Sequence, residues 1–137
     1  ADLEVKSQNP AASALLLDVN GNLCEGMGLN LFIVRDGEIY TPKEQYILAG
    51  ISRSVAIEMA HELAIAVHEV DLDLYDAYTA DEVFITSTSY CICPVASVNG
   101  NSPSHTGIPG PVTRRLIDAY SGLVGLDFAE QYLAHLQ

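Results

Sequence analysis

Around residue 51 the chain changes its hydrophobic period. Before that point, short apolar runs are cut by tight-turn signals. Asp18-Val19-Asn20-Gly21 closes Leu15-Leu16-Leu17, and Arg35-Asp36-Gly37-Glu38 separates Leu31-Phe32-Ile33-Val34 from Ile39-Tyr40. Asn-Gly and Asp-Gly are the pairs selected by two-residue hairpin loops, because they accept positive φ angles. The spacing predicts a mostly β first third: two strands joined at Asn20-Gly21, extended chain from Leu23 through Val34, and a return strand before Thr41-Pro42. From Ile51 the apolar residues Ile51, Val55, Met59 and Leu63 recur at every fourth position. Ala56 and Ala60 stand beside them, with Arg53, Glu58 and Glu62 at polar positions. This is the stripe of an amphipathic helix of about three to four turns, beginning near Ser52.

The two periods then alternate. Residues 66–70 read as a strand, 72–78 as a short helix or loop, and 83–86 as a buried strand. Residues 99–111 are rich in Gly, Ser, Asn and Pro and read as a loop. Val112, Leu116, Ile117, Tyr120, Leu123 and Val124 mark a second amphipathic helix, and 126–137 a further helical tail. At the other end, residues 1–5 read as the tail of a helix that Asn9-Pro10 breaks. Mixed periods of this kind predict an α/β fold. With 137 residues and no dividing linker, a single domain is expected.

Hydrophobic residues make up 49% and charged ones 18%, a globular balance that excludes disorder. Six basic residues against eighteen acidic ones give a net charge of -12. That charge opposes nucleic acid and anionic membrane surfaces, and leaves a small molecule or a protein as partner. No run approaches the roughly 18 apolar residues of a membrane span, and Ala1-Asp2-Leu3-Glu4 has no signal-peptide character, so the expected compartment is cytoplasmic. Cys24, Cys91 and Cys93 form no spaced framework. Cys91-x-Cys93 lacks a second pair to complete a metal site, and strand packing is the plainer reading. His61-Glu62 would need a second histidine where Ile65 stands to make a zinc-protease motif.

Three places could carry chemistry. Gly50-Ile51-Ser52 lies where a loop becomes a helix, and such a junction offers unpaired backbone N–H groups to an anion. Taken alone, Ser52 as an N-cap and Gly50 as a turn are the plainer reading. Thr86-Ser87-Thr88-Ser89 is a hydroxyl-rich stretch after a buried strand, an anion contact or a plain polar strand end. Glu25, in Cys24-Glu25-Gly26-Met27-Gly28, is a carboxylate that either faces a cavity or is a solvated turn residue. Gly26-x-Gly28 is not a dinucleotide loop, since Leu31 replaces the third glycine and a strand follows.

Read in order, these pieces fall into a longer series. It comprises Leu-Leu-Leu-Asp-x-x-Gly-x-x-x-Glu-Gly at 15 to 26, Asn30-Leu31-Phe32-Ile33-Val34 with Asp36-Gly37, and Tyr40-Thr41-Pro42. It continues with Ile47-Leu48-x-Gly50-Ile51-Ser52-Arg53, Ala80-Asp81-Glu82-Val83-Phe84, Thr88 followed by Pro94-Val95, and Gly110-Pro111-Val112-Thr113. The series closely resembles the successive motifs of the class IV (fold-type IV) aminotransferases, from about residue 14 to residue 120.

The resemblance implies the large C-terminal domain of that fold, a curved mixed or antiparallel sheet (pseudo-barrel) with helices. It implies pyridoxal 5'-phosphate as cofactor: Glu25 on the pyridine nitrogen, Leu48 against the ring, and the backbone of Ile51 and Ser52 with the Thr88 hydroxyl on the phosphate. Main-chain groups of Thr88 and Ser89 would lie near the substrate carboxylate, and Asn30 would be a turn residue supporting Glu25. The implied reaction is transamination between an amino acid, branched-chain first, and a 2-oxo acid, in a homodimeric parent. Aminodeoxychorismate lyases and D-amino-acid or amine transaminases share the fold. A non-catalytic interaction module is the alternative from another class.

The family's cofactor-anchoring lysine has no counterpart here. Lys6 is too close to Leu15 and Lys43 sits in a turn, so both read as solvated charges. Residues 1–137 are therefore expected to form a cofactor-binding domain without its N-terminal partner domain, and to be catalytically silent alone. Tyr90 stands where some relatives have the first cysteine of a redox pair; only Cys93 matches.

Overall fold

Both turn signals of the first third fold as turns, in a computed structural model that describes residues 1–125 and 127–135. A short helix, α1 (Asp2–Gln8), ends at Asn9 in extended conformation. The chain then doubles back at Asp18, whose carboxylate accepts the amides of Asn20 and Asn22. The expected strand pair around this turn reduces to a bridge between Leu17 and Leu23. Beside it, the Leu16 amide donates to the Glu25 carbonyl and the Cys24 amide to the Leu16 carbonyl. The expected extended run from Leu23 to Val34 is broken as well. Met27-Gly28 turns the chain between β1 (Glu25–Gly26) and β2 (Leu29–Arg35), which pair antiparallel.

Asp36 (φ 52) and Gly37 (φ 77) both adopt the left-handed region. A two-residue loop matched to the twist of its strands requires this, and glycine accepts it without strain. The loop joins β2 to β3 (Glu38–Pro42) with Ile33 opposite Tyr40. A single 3₁₀ turn, Glu44–Tyr46, leads to α2 (Ile51–Glu62), which returns the chain to β4 (Val67–Val70), parallel to β3. Helix α3 (Leu74–Tyr78) starts with a reciprocal cap between Asp73 and Asp76. Strand β5 (Glu82–Ser87) then inserts beside β2, and β6 (Cys91–Pro94) folds back on it. Helices α4 (Pro111–Val124) and α5 (Phe128–His135) complete the chain. Of the helical tail expected over 126–137, residues 126, 136 and 137 lie outside the described residues.

The result is a six-stranded sheet in the order β4-β3-β2-β5-β6, with β1 paired to β2. It is mixed, because only β3 and β4 run parallel, and it is open rather than closed into a barrel. Alternation along the strands divides the core. Phe32, Val34, Ile39, Phe84 and Ile92 pack toward Ala56, Met59 and Ala60 of α2 and Val112, Leu116 and Ile117 of α4. The Phe32 and Phe84 rings stack at 4.8 Å within that layer. Leu31, Ile33 and Val83 face the other way, onto Leu23, Leu72, Ala77 and Ala80.

The expected stripe of α2 is corrected at its first turn. Ile51 is 84% exposed and Arg53 is buried, because the packed face runs through Arg53, Ala56, Met59 and Ala60. Those positions are spaced three or four residues apart and lie on one side of the helix, which leaves Ile51 off it.

Candidate functional site

Residues directly opposite one another in an antiparallel pair project to the same face of the sheet. The registers Glu25 to Asn30, Asn30 to Thr86 and Thr86 to Ile92 therefore define a row across β1, β2, β5 and β6. Ile92 belongs to the core layer beneath α2, so the row faces that helix. Asn30 is buried, and its side-chain amide donates to Glu25 Oε2 at 3.3 Å and to the Leu48 carbonyl at 3.0 Å. The Leu48 amide donates to the same carboxylate oxygen at 3.0 Å. Asn30 and Glu25 thus fasten the segment that enters α2. Gly50 completes the fit: a Cβ there would stand 2.6 Å from Asn30 Oδ1, inside any tolerable contact.

Gly50 is the N-cap of α2 and offers no side chain to cap it. The amides of Ile51, Ser52 and Arg53 are thus the orphan donors of a helix N-terminus, at the positive end of its dipole. Helix α4 also starts from a glycine, Gly110, but buried Glu82 fills its first turn, accepting the Val112 amide at 2.9 Å and the Thr113 amide at 2.8 Å. Two further groups near the α2 start remain available. Both hydrogen bonds to Glu25 fall on Oε2, and among the described residues none reaches Oε1. Among the described residues the Thr86 hydroxyl is buried without a partner; that of Thr113 is too, but only Thr86 lies in the row.

The structure therefore brings Glu25 and Leu48 into direct contact, with Ile51 and Ser52 following at the first two helical positions. Ser52 is not the N-cap; Gly50 is. Leu48 is 76% exposed and free to pack on something outside the core. Thr88 and Ser89 occupy the exposed turn between β5 and β6, shaped by a bond from the Tyr90 amide to Ser87 Oγ. They share no hydrogen bond with the Glu25 group among the described residues, and both lie past the end of β5. Asn30 supports Glu25 as expected, but from within a strand rather than a turn. Sequence reasoning named Thr86 only within a hydroxyl-rich stretch, without singling out its hydroxyl, and read Arg53 as a polar position of the helix. A cation in the first turn of a helix, against the dipole, was the available signal for Arg53.

A cleft of about 630 Å³ lies elsewhere. It is lined by Leu15, Leu17, Leu29, Leu31, Ile85 and Val95 among others, on the sheet face turned away from the row, and contains none of the predicted site residues. Volume and chemistry disagree here. The convergent donors and the carboxylate, rather than the cleft, have the chemistry to receive a polar ligand. Cys91 and Cys93 lie in β6, where burial pushes the Cys93 thiol up and the Cys91 thiol meets Tyr120 of α4.

Comparison with known proteins gives this geometry a lineage. The family model of amino-transferase class IV matches residues 1–98. A branched-chain-amino-acid aminotransferase of Salmonella typhimurium strain LT2 is 46% identical over 110 residues, which cover 80% of this chain and 35% of that protein. The branched-chain amino acid aminotransferase from Thermobaculum terrenum, solved in its PLP form, superposes with a TM-score of 0.82 at 36% identity, over 92% of this chain and 42% of that one. Another branched-chain amino acid aminotransferase, solved in complex with 4-methylvaleric acid, gives a TM-score of 0.81 at 40% identity, over 88% of this chain and 40% of that one. The chain thus spans less than half the length of these relatives. It belongs to the class IV aminotransferase family.

Proposed function

We propose that this chain holds most of a pyridoxal 5'-phosphate site in a protein that transfers an amino group between an amino acid, branched-chain first, and a 2-oxo acid. The residues present fit the cofactor. An anion suits the uncapped start of α2, a protonated ring nitrogen suits the unused oxygen of Glu25, and the unpartnered Thr86 hydroxyl in the same row suits a polar ligand. The Ile51 and Ser52 amides with the Thr88 hydroxyl would take the phosphate, Glu25 the pyridine nitrogen, and exposed Leu48 the ring face. Thr88 and Ser89 main-chain groups would meet the substrate carboxylate. When bound, the cofactor supplies an electron sink for the substrate carbon that loses its proton.

The chain's own part is to hold and orient. Asn30 and the Leu48 amide pin Glu25 Oε2, so that Oε1 keeps one direction toward a ring N–H. An ionised carboxylate beside that nitrogen favours its protonated form. Branched-chain substrates lead because the relatives above carry that name and one of them was solved with 4-methylvaleric acid. The anchoring lysine and a further phosphate-binding arginine are assigned to parts of the parent outside this chain, and the parent to a homodimer. Consistent with this, Lys6 and Lys43 are half-exposed and engaged with Asp2 and Asp71. No helix among the described residues is long and apolar enough to cross a membrane.

The observation that carries the proposal is the Glu25–Leu48 hydrogen bond, which joins the ring-binding carboxylate to the entry of the phosphate-binding helix. Binding of pyridoxal 5'-phosphate, followed by its absorbance, tests it. Glu25→Gln replaces a charge-assisted bond with a neutral one and is expected to weaken cofactor binding by about tenfold or more, while inorganic phosphate binds as before. Equal cofactor affinity in the two proteins would remove Glu25 from the site.

A further inference from the structure

Arg53 is the one buried cation among the described residues, and the proposed cofactor set does not use it. A cation in the first turn of a helix opposes the helix dipole, and a guanidinium taken out of water is costly unless it is paired. Yet Arg53 is 1% exposed. Its Nη1 donates to Glu44 at 3.0 Å, and its Nη2 donates to the Pro42 carbonyl at 3.1 Å and to the Glu69 carboxylate, while Nε is left without a partner. These acceptors come from the end of β3, the 3₁₀ turn and β4; Arg53 itself comes from α2. The planar fork therefore closes the 43–50 loop at both ends. A lysine, a point charge on a flexible stem, could not meet acceptors spread in this way. On the loop's other side, Leu48 is fastened to Glu25 and Asn30.

We infer that Arg53 is a positioning residue: by gripping Glu44, Glu69 and the Pro42 carbonyl it sets where α2 begins, and so aligns the Ile51 and Ser52 amides with Leu48 and Glu25. The inference rests on the phosphate-binding reading of the α2 start. Carboxylates neutralise the Arg53 charge, so it acts through backbone placement rather than by attracting the anion itself.

The test uses the isotope-labelled 137-residue chain, with amide exchange and inorganic phosphate titration read at single residues. In Arg53→Lys, the Leu48 amide is expected to exchange about tenfold faster, and phosphate affinity at Ile51 and Ser52 to fall by about tenfold, with Ile33 and Phe84 unchanged. Glu44→Gln weakens one grip by replacing a charge-assisted bond with a neutral one, without stranding the cation, and should move the same readings less far in the same direction. Wild-type exchange and affinity in Arg53→Lys would overturn the inference, as would protection lost evenly at Leu48, Ile33 and Phe84, the mark of a general structural role. If Arg53→Lys does not fold, Glu44→Gln decides, and wild-type values there overturn it. A wild-type chain that binds no phosphate at Ile51 and Ser52 refutes the phosphate-binding reading instead. The Leu48 exchange rate still reports whether Arg53 holds the loop.

Discussion

Glu25 and Glu82 are carboxylates set beside glycine-started helices, and their surroundings give them opposite tasks. Glu82 is consumed by α4, both oxygens accepting backbone amides. Glu25 keeps an oxygen in reserve beside α2, whose amides it leaves uncovered. Glu82→Gln should therefore cost about 2 kcal/mol, the loss of charge-assisted character in a buried cap, measured by urea unfolding. Phosphate binding should survive it, and an unchanged midpoint would show that the cap is not held by charge. Asp81 supplies a pH dependence. A hydrogen bond from Ser104 first, and then one from the Asp36 amide, hold its carboxyl below the usual 3.8. A depressed folded value contributes stability that is complete above the unfolded pKa and is lost as the pH falls through the folded one. Acid unfolding below about pH 4 should thus be less steep in Asp81→Asn than in the wild type; identical acid limbs would contradict this. Glu25 stood out in the sequence as a carboxylate among glycines between strands, but that pattern left a solvated turn residue open, and only the family resemblance implied a cofactor role for it. Thr86 was visible only as one hydroxyl of a polar stretch and Arg53 only as a polar helix position, because what matters in them is the direction of the side chain, which spacing alone does not reveal.

At the scale of elements, the turns were the most legible feature. Asp36-Gly37 folds as the sequence predicts because its chemistry is local: both residues accept positive φ. Met27-Gly28 was lost inside an apparently continuous strand, since it lacks the Asn or Asp that usually announces such a loop. The helix α2 was found, but its face was misjudged at the first turn, where tertiary contacts with Glu44 and Glu69 bury the arginine. The open start of α2 and the closed start of α4 should differ in hydrogen exchange. Val112 and Thr113 are expected to be protected and Ile51 and Ser52 not, until phosphate is added and slows the latter pair. Equal protection at both helix starts without ligand would mean that the α2 start has a cap of its own.

For the whole molecule, the α/β class and the order of elements could be read from alternating periods, whereas the sheet order could not. That β3 and β4 run parallel across α2, and that β5 inserts next to β2, depends on pairings far apart in sequence that no local signal encodes. Family membership carries what geometry alone would leave open, since a cleft of about 630 Å³ lies on the sheet face opposite the proposed site. These two faces provide the most direct test. Pyridoxal 5'-phosphate is titrated into the isotope-labelled chain and amide shifts are mapped residue by residue. The account predicts saturable shifts at Leu48, Ile51, Ser52 and Thr88, weakened by competing inorganic phosphate. Shifts gathered instead at Leu15, Leu17, Ile85 and Val95, in the cleft on the opposite face, would contradict it.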